Sequence, residues 1–219
     1  MVRTWRLINR FACPGKTMHI PVRIVAVALS VALGSLSAAC FARRSANDQE
    51  APGGRSSFKR LPDGKAWTTE NLNVAADGSY CYDDAEPNCR KYGRLYTWES
   101  AQRACQSLGG GWRLPTDDEW RQLAAHHGGL REESADRGHA AYTALMTGGS
   151  SGFNAVLGGN RGSEDAQYAR LEAHGLYWSA SESGPTSAWF YNFGKGGSSV
   201  NRHRNGDKRM AISVRCVRE

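Results

Sequence analysis

The chain has 219 residues, room for one domain or two small ones. Its 40% hydrophobic content and 25 glycines favour a loop-rich fold and speak against a helical bundle. The net charge of +7 includes five basic residues of an acid-free leader; the rest holds 23 basic against 21 acidic residues, net +2, which gives no general electrostatic reason to bind nucleic acid.

Residues 1–39 read as a signal peptide. Arg3, Arg6, Arg10, Lys16 and Arg23 make a positive start, Ile24 to Leu36 an apolar run, and Ser37-Ala38-Ala39 a small-residue cleavage site. The apolar run has 13 residues, short of the roughly 20 that a membrane-spanning helix needs. Met18 is an alternative start that would shorten the basic segment and leave Cys13 unmade. Cys40 has two readings: a diacylated lipoprotein cysteine, or a free thiol after cleavage at Ala39. LSAAC resembles a bacterial lipobox, with Leu36 one place further from the cysteine than usual, and we expect lipidation at Cys40. Residues 40–57 are then a flexible tether, poor in side chains that pack. The folded domain is residues 58–219.

Leu61-Pro62-Asp63-Gly64 predicts a turn, followed by a strand over Lys65–Leu72 and a short one over Tyr92–Tyr96. Thr97 predicts a helix cap, with Trp98, Ala101, Cys105 and Leu108 on one face and Gly109 as the stop. Thr116-Asp117-Asp118-Glu119 is a full capping box for a second helix, with Trp120, Leu123 and Ala124 as its apolar stripe and Gly128 as its end. Its acids need no catalytic role, because the helix start accounts for them. Gly148–Gly162 predicts an ordered loop pinned by Phe153, Val156 and Leu157; it lacks the Gly-Lys-Ser/Thr ending of a phosphate loop. Strands follow at Leu176–Ser181, Ala188–Phe193, Ser198–Arg202 and Met210–Val217. In the last, Met210, Ile212, Val214 and Cys216 alternate with Ala211, Ser213 and Arg215. Helices followed by strands make an α+β pattern: two helices on small twisted antiparallel sheets. The tryptophans of the domain fall mostly at apolar positions and read as core.

Cys81, Cys89, Cys105 and Cys216 are an even set in an exported chain, which points to disulfides. Zinc is the rival, but spacings of 8, 16 and 111 lack the close pairs it favours. Of three pairings we expect Cys81–Cys89, across a loop with Asp-Asp and Pro, and Cys105–Cys216, joining a helix to the last strand.

The segments DGKAWTTENLNV, GWRLPTDDEW, GGSSGFNAVLGG, YWSASE and ISVRCVRE occur in an order that resembles the Fibrobacter succinogenes major paralogous domain family, from about Asp63 to Glu219. The resemblance implies an exported, often lipid-anchored bacterial domain with a C-type-lectin-like or formylglycine-generating-enzyme-like fold. In that fold a disulfide links the first helix to the final strand, in agreement with Cys105–Cys216.

Three functions follow. The first is a surface binding or adhesion module for an envelope glycan or surface protein, lipid-anchored at the bacterial outer membrane or cell surface, with no cofactor and no catalytic residue. Its recognition surface is the basic, Gly-rich stretch 194–209, with Tyr191, Asn201, Arg202, His203 and Arg204 as ligand-binding candidates. The alternative for each is a solvated hairpin. The second is calcium-assisted sugar binding. Glu86-Pro87-Asn88 spells a lectin tripeptide, but it stands before the first helix rather than in a late loop, so only local oxygen ligation by Asp83, Asp84 and Glu86 remains. The third is a formylglycine-generating-like enzyme, which needs a late pair of reactive cysteines where this chain has only Cys216. A structural envelope role without a small ligand is the further alternative.

Overall fold

The computed structural model describes residues 57–219; the leader, Cys40 and the tether lie outside the described residues. Strands β1 (Phe58–Arg60) and β2 (Ala66–Thr68) form a hairpin over the Leu61–Gly64 turn, and β10 (Val217–Arg218) pairs with β2, so both ends of the domain meet in one small antiparallel sheet. A cluster of Lys65, Arg113, Glu119 and Glu219 ties this sheet to the helices. Strands β3 (Ser79–Tyr80) and β4 (Leu95–Tyr96) pair around a 3-10 turn at Tyr82–Asp84 and helix α1 (Glu86–Tyr92). Helices α2 (Trp98–Gln106), α3 (Asp117–Ala125) and α4 (His139–Leu145) come next. After the short β5 (Asn160–Arg161) and β6 (Tyr168–Ala169) pair, β7 (His174–Gly184), β8 (Ser187–Gly194) and β9 (Ser199–Asp207) form the main antiparallel sheet.

Two apolar clusters flank that sheet. Trp67, Trp120, Phe153, Tyr177, Tyr191, Phe193 and Val200 lie in the first. Trp98, Trp178, Leu176, Ala188, Ile212, Val214 and the Cys105–Cys216 sulfurs lie in the second. Alternation along β7 sends Tyr177 to one cluster and Trp178 to the other. The buried indole N–H groups all find acceptors: Trp98 donates to the Ser179 carbonyl at 2.8 Å, Trp178 to the Tyr96 carbonyl at 2.8 Å, Trp120 to the Trp178 carbonyl at 3.2 Å, and Trp67 to the Asp63 carboxylate at 2.7 Å.

Helix α3 carries the full capping box: the Thr116 hydroxyl accepts from the Glu119 N–H, and the Glu119 carboxylate accepts from the Thr116 N–H. Burial pushes the Glu119 carboxyl up, but hydrogen bonds from Arg113 and Thr116 outweigh it and hold the group at about 2. Helix α2 starts after Thr97 as expected, without a side-chain cap bond. The loop before β5 is pinned as expected by Phe153, which is fully buried, while Val156 and Leu157 are half-buried.

Four sequence expectations change. The segment Glu86–Tyr92, placed in a loop running into a strand, is helix α1, with Pro87 in the first turn where its missing N–H costs nothing. Helix α4 was not foreseen. Met210–Val217 is regular strand only from Val217; before it the chain is extended and makes single bridges to Tyr96, Arg161 and Tyr177. Ala211 to Val217 are all buried, because this segment runs through the interior with packing on both sides. The predicted strand from Lys65 keeps only Ala66–Thr68.

Both disulfides form as paired in the sequence, Cys81–Cys89 and Cys105–Cys216. They close loops of very different length, with sequence separations of 8 and 111. In the chain-entropy account the long loop contributes about 4–5 kcal/mol and the short one about 2–3 kcal/mol. Replacing Cys105 and Cys216 together by Ala is therefore expected to lower unfolding free energy by about 2 kcal/mol more than replacing Cys81 and Cys89. Denaturant titration of the two double variants measures this; equal losses would contradict it.

Candidate functional site

The second apolar cluster does not cover the whole of its sheet face. Where it ends, Phe190 and Met210 remain partly exposed and a cleft of about 450 Å³ opens over β7, β8 and β9. His174 and Leu176 on β7, Phe190 and Asn192 on β8, and His203 and Asn205 on β9 line it, with Arg170 and Met210 at its ends. The antiparallel register sets these groups side by side: Leu176 opposes Asn192, and Phe190 opposes His203.

The Phe190 and His203 rings stack, with centroids 4.8 Å apart and planes 18° apart. The His174 ring nitrogen Nδ1 lies 2.9 Å from the Asn192 amide oxygen, so it donates there when it carries the proton. Between Ala188 and Phe190 the pairing with β9 slips, leaving an extra residue on β9. Gly206 permits this: a Cβ there would lie 2.7 Å from the Trp178 ring and 2.8 Å from the Phe190 ring. The floor is thus apolar, and imidazole and amide groups rim it.

Strand alternation divides the five sequence candidates between two faces. His203 lies in the cleft, and Asn201 stands on the same face opposite Asn192. Tyr191 and Arg202 face the other way. Tyr191 is fully buried, stacked on Trp120 at 5.0 Å, and its hydroxyl donates to the Asp117 carboxylate at 2.8 Å. Arg202 donates to the same carboxylate through Nε at 2.7 Å and lies over the Trp189 ring at 3.5 Å. Tyr191 is therefore a core residue and not part of an exposed surface, and Arg202 anchors β9 to the start of α3. Arg204 is exposed and lines a smaller cleft of about 340 Å³ with Ser183, Thr186 and Ser187. The basic stretch after Gly194, with an expected strand over Ser198–Arg202, is β9 over Ser199–Asp207, flanked by turns at residues 195–198 and 208–209. Sequence reasoning missed His174, Phe190, Asn192 and Asn205. The parity of β8, in which Tyr191 and Phe193 point inward and Phe190 and Asn192 do not, was the signal that would have found two of them.

The acidic segment gathers no calcium-type oxygen cage. Asp84 accepts from the Tyr168 hydroxyl at 2.6 Å, and Glu86 lies against the Cys81 sulfur. Among the described residues the one compact set of potential metal ligands is Cys81, Glu86 and Cys89, and its two sulfurs are bonded to each other. Cys216 is likewise in a disulfide, so no late free thiol is present among the described residues.

A family model described as the Fibrobacter succinogenes major domain matches residues 56–218, a span that holds both apolar clusters and the cleft. No curated protein matches the chain. The chain belongs to the Fibrobacter succinogenes major domain family.

Burial in the cleft pushes the His203 imidazole below the ordinary histidine value, and nearby His174 adds to this while Glu132 opposes it. The unfolded chain then takes up a proton that the fold resists. Stability is complete above the ordinary value near 6.5 and is lost as pH falls from there through the lowered folded value. In His203→Gln the drop in unfolding free energy between about pH 7 and about pH 5 is expected to shrink. Denaturant unfolding at the two pH values checks it; an unchanged drop would refute the assignment.

Proposed function

We propose that this member of the family is an exported binding module that takes a glycan in the cleft over β7, β8 and β9. The observation that carries the reading is the cleft's chemistry: a stacked Phe190–His203 pair on an apolar floor, rimmed by Asn192, Asn205 and His174. Sugars present just such a mixture, apolar C–H faces beside closely spaced hydroxyls. A partly exposed aromatic floor accepts the first, and amides and imidazoles, each able to donate and accept, meet the second.

A C-type-lectin-like fold is part of the same reading. A disulfide from helix α2 to the segment before the last strand, and a domain whose first and last strands share one sheet, support it. So does the late position of the loop-rich main sheet. The leader and LSAAC support export and lipid attachment at Cys40, which would hold the domain at the outer membrane or cell surface on the 40–57 tether. The partner is then an envelope glycan, or a glycan on a neighbouring cell.

A glycan array followed by titration of the best hit tests the binding. We expect saturable binding that Asn192→Ala or His203→Ala weakens about five- to tenfold, the effect of losing one or two hydrogen bonds. Arg202→Gln, on the opposite face, should leave the affinity unchanged. Absence of any binding sugar would leave a structural envelope role as the better account. Lipid attachment is tested separately by membrane fractionation: Cys40→Ser should move the protein from the membrane to the soluble fraction, and an unchanged distribution would exclude the anchor.

A further inference from the structure

Arg215 is fully buried and is the only charged side chain of the final interior segment. Its Nε donates to the Asn71 amide oxygen at 2.8 Å, and its terminal nitrogens donate to the carbonyls of Thr68, Phe153 and Asn154 at 2.6 to 2.8 Å. All four acceptors are neutral. No ion pair among the described residues includes Arg215. A buried cation is usually matched by a directly bonded anion; here neutral groups take its hydrogen bonds, aromatic rings lie against it, and Glu70 acts on it only through space.

A cleft of about 490 Å³ lies against this group. Arg90 and Lys91, in the last turn of α1, stand in its lining with Arg215, against a single acid, Glu70. The Lys91 ammonium is shared with Glu172 at 2.9 Å, outside the cleft lining. Arg90 is exposed and joins no ion pair among the described residues. The helix C-terminus by itself favours two cations there. It does not account for a third, buried and without a directly bonded anion, lining the same cleft. Low-dielectric walls carry the field of such a charge into a cleft much further than water would. Amides from Asn73 and Asn154 complete the lining with neutral donors.

We propose that this cleft is a binding site for an oxyanion-bearing small molecule, whose carboxylate, sulfate or phosphate group takes the fork of Arg90 and the ammonium of Lys91 and lies in the field of Arg215, where three cations face one acid. The site is separate from the sheet cleft, shares no lining residue with it, and does not depend on the glycan reading.

Isothermal titration of the full chain with sodium phosphate, sodium sulfate and sodium glucuronate, at constant ionic strength in chloride, tests the proposal. We expect saturable binding of at least one of them at one site. Preference for glucuronate would identify an acidic saccharide as the source of the oxyanion; preference for phosphate or sulfate would identify the inorganic or ester form. The surface double variant Arg90→Gln/Lys91→Gln, which leaves the core untouched, should bind about tenfold more weakly. Asn73→Ala, also at the surface, should weaken binding by a smaller factor. No saturable uptake above chloride, or uptake that the double variant leaves unchanged, would overturn the proposal.

Discussion

The Arg215 guanidinium is the constraint on which the interior depends. An isolated charge in such a place would cost many kcal/mol, so each of its three nitrogens must be engaged. Meeting them requires the carbonyls of Thr68, Phe153 and Asn154 and the amide of Asn71 to converge on one point. Three stretches far apart in sequence are thereby fixed together: the end of β2, the loop before β5, and the terminal segment. The rings of Phe153 and Tyr177, with centroids 4.5 and 5.8 Å from the guanidinium carbon, add cation–π contact on the same group. Asn71 is held in turn by donating to the Tyr92 carbonyl at 2.8 Å. That contact needs the chain to pass close by at Gly93, where a Cβ would lie 2.5 Å from the Asn71 side chain.

This explains why a loop without regular structure can contribute core. Phe153 enters the first apolar cluster although no ladder holds its backbone, because its carbonyl and that of Asn154 are claimed by Arg215. The second cluster has a different fastener. Cys105 on α2 and Cys216 beside Val217 join covalently, and the indoles of Trp98 and Trp178 are aimed by carbonyls at Ser179 and Tyr96. The two systems meet in adjacent residues, Arg215 serving one side of the terminal segment and Cys216 the other. A segment with obligations on both sides has no room for solvent and no need of a full ladder.

That double burial also marks what was legible in the sequence. Helix α3 was readable because Thr116 and Glu119 form a cap by side-chain chemistry that acts over four residues. Both disulfides were readable because an even set of four cysteines with spacings of 8, 16 and 111 narrowed the choices. Helix α1 was hidden by Pro87 and Asn88, which signal a turn as strongly as a helix start. Helix α4 follows Gly138 in a left-handed conformation, and its early N–H at Ala140 is met by Asp136, two residues before the usual N-cap, so the signal lay outside the cap position. In the terminal segment, alternation of Ile212, Val214 and Cys216 with Ser213 and Arg215 has the appearance of a half-exposed strand. Ser213 and Arg215 are buried all the same, since the partner that receives Arg215 lies more than sixty residues away in sequence. Tyr191 and Arg202 were misplaced for a related reason: Asp117, which binds both, looked fully accounted for by the helix start.

The same accounting locates the surfaces that are left for recognition. Of the cations near the sheet, Arg202 is committed to Asp117 and Arg113 to Glu119, so a basic composition there does not make a basic surface. What stays uncommitted is set by where the apolar clusters end. Beyond Trp178 the second cluster gives way to Phe190, and no helix residue is among those lining the cleft over that sheet face. Beyond Phe153 and Tyr177 the first gives way to Arg215 and the turn of α1. One edge has an aromatic floor with a single arginine, Arg170, at its end, the other is cationic with a buried charge behind it. A nearly neutral domain can therefore present two chemically distinct clefts, because pairing elsewhere removes most charges from view and the scaffold holds the remainder at fixed positions.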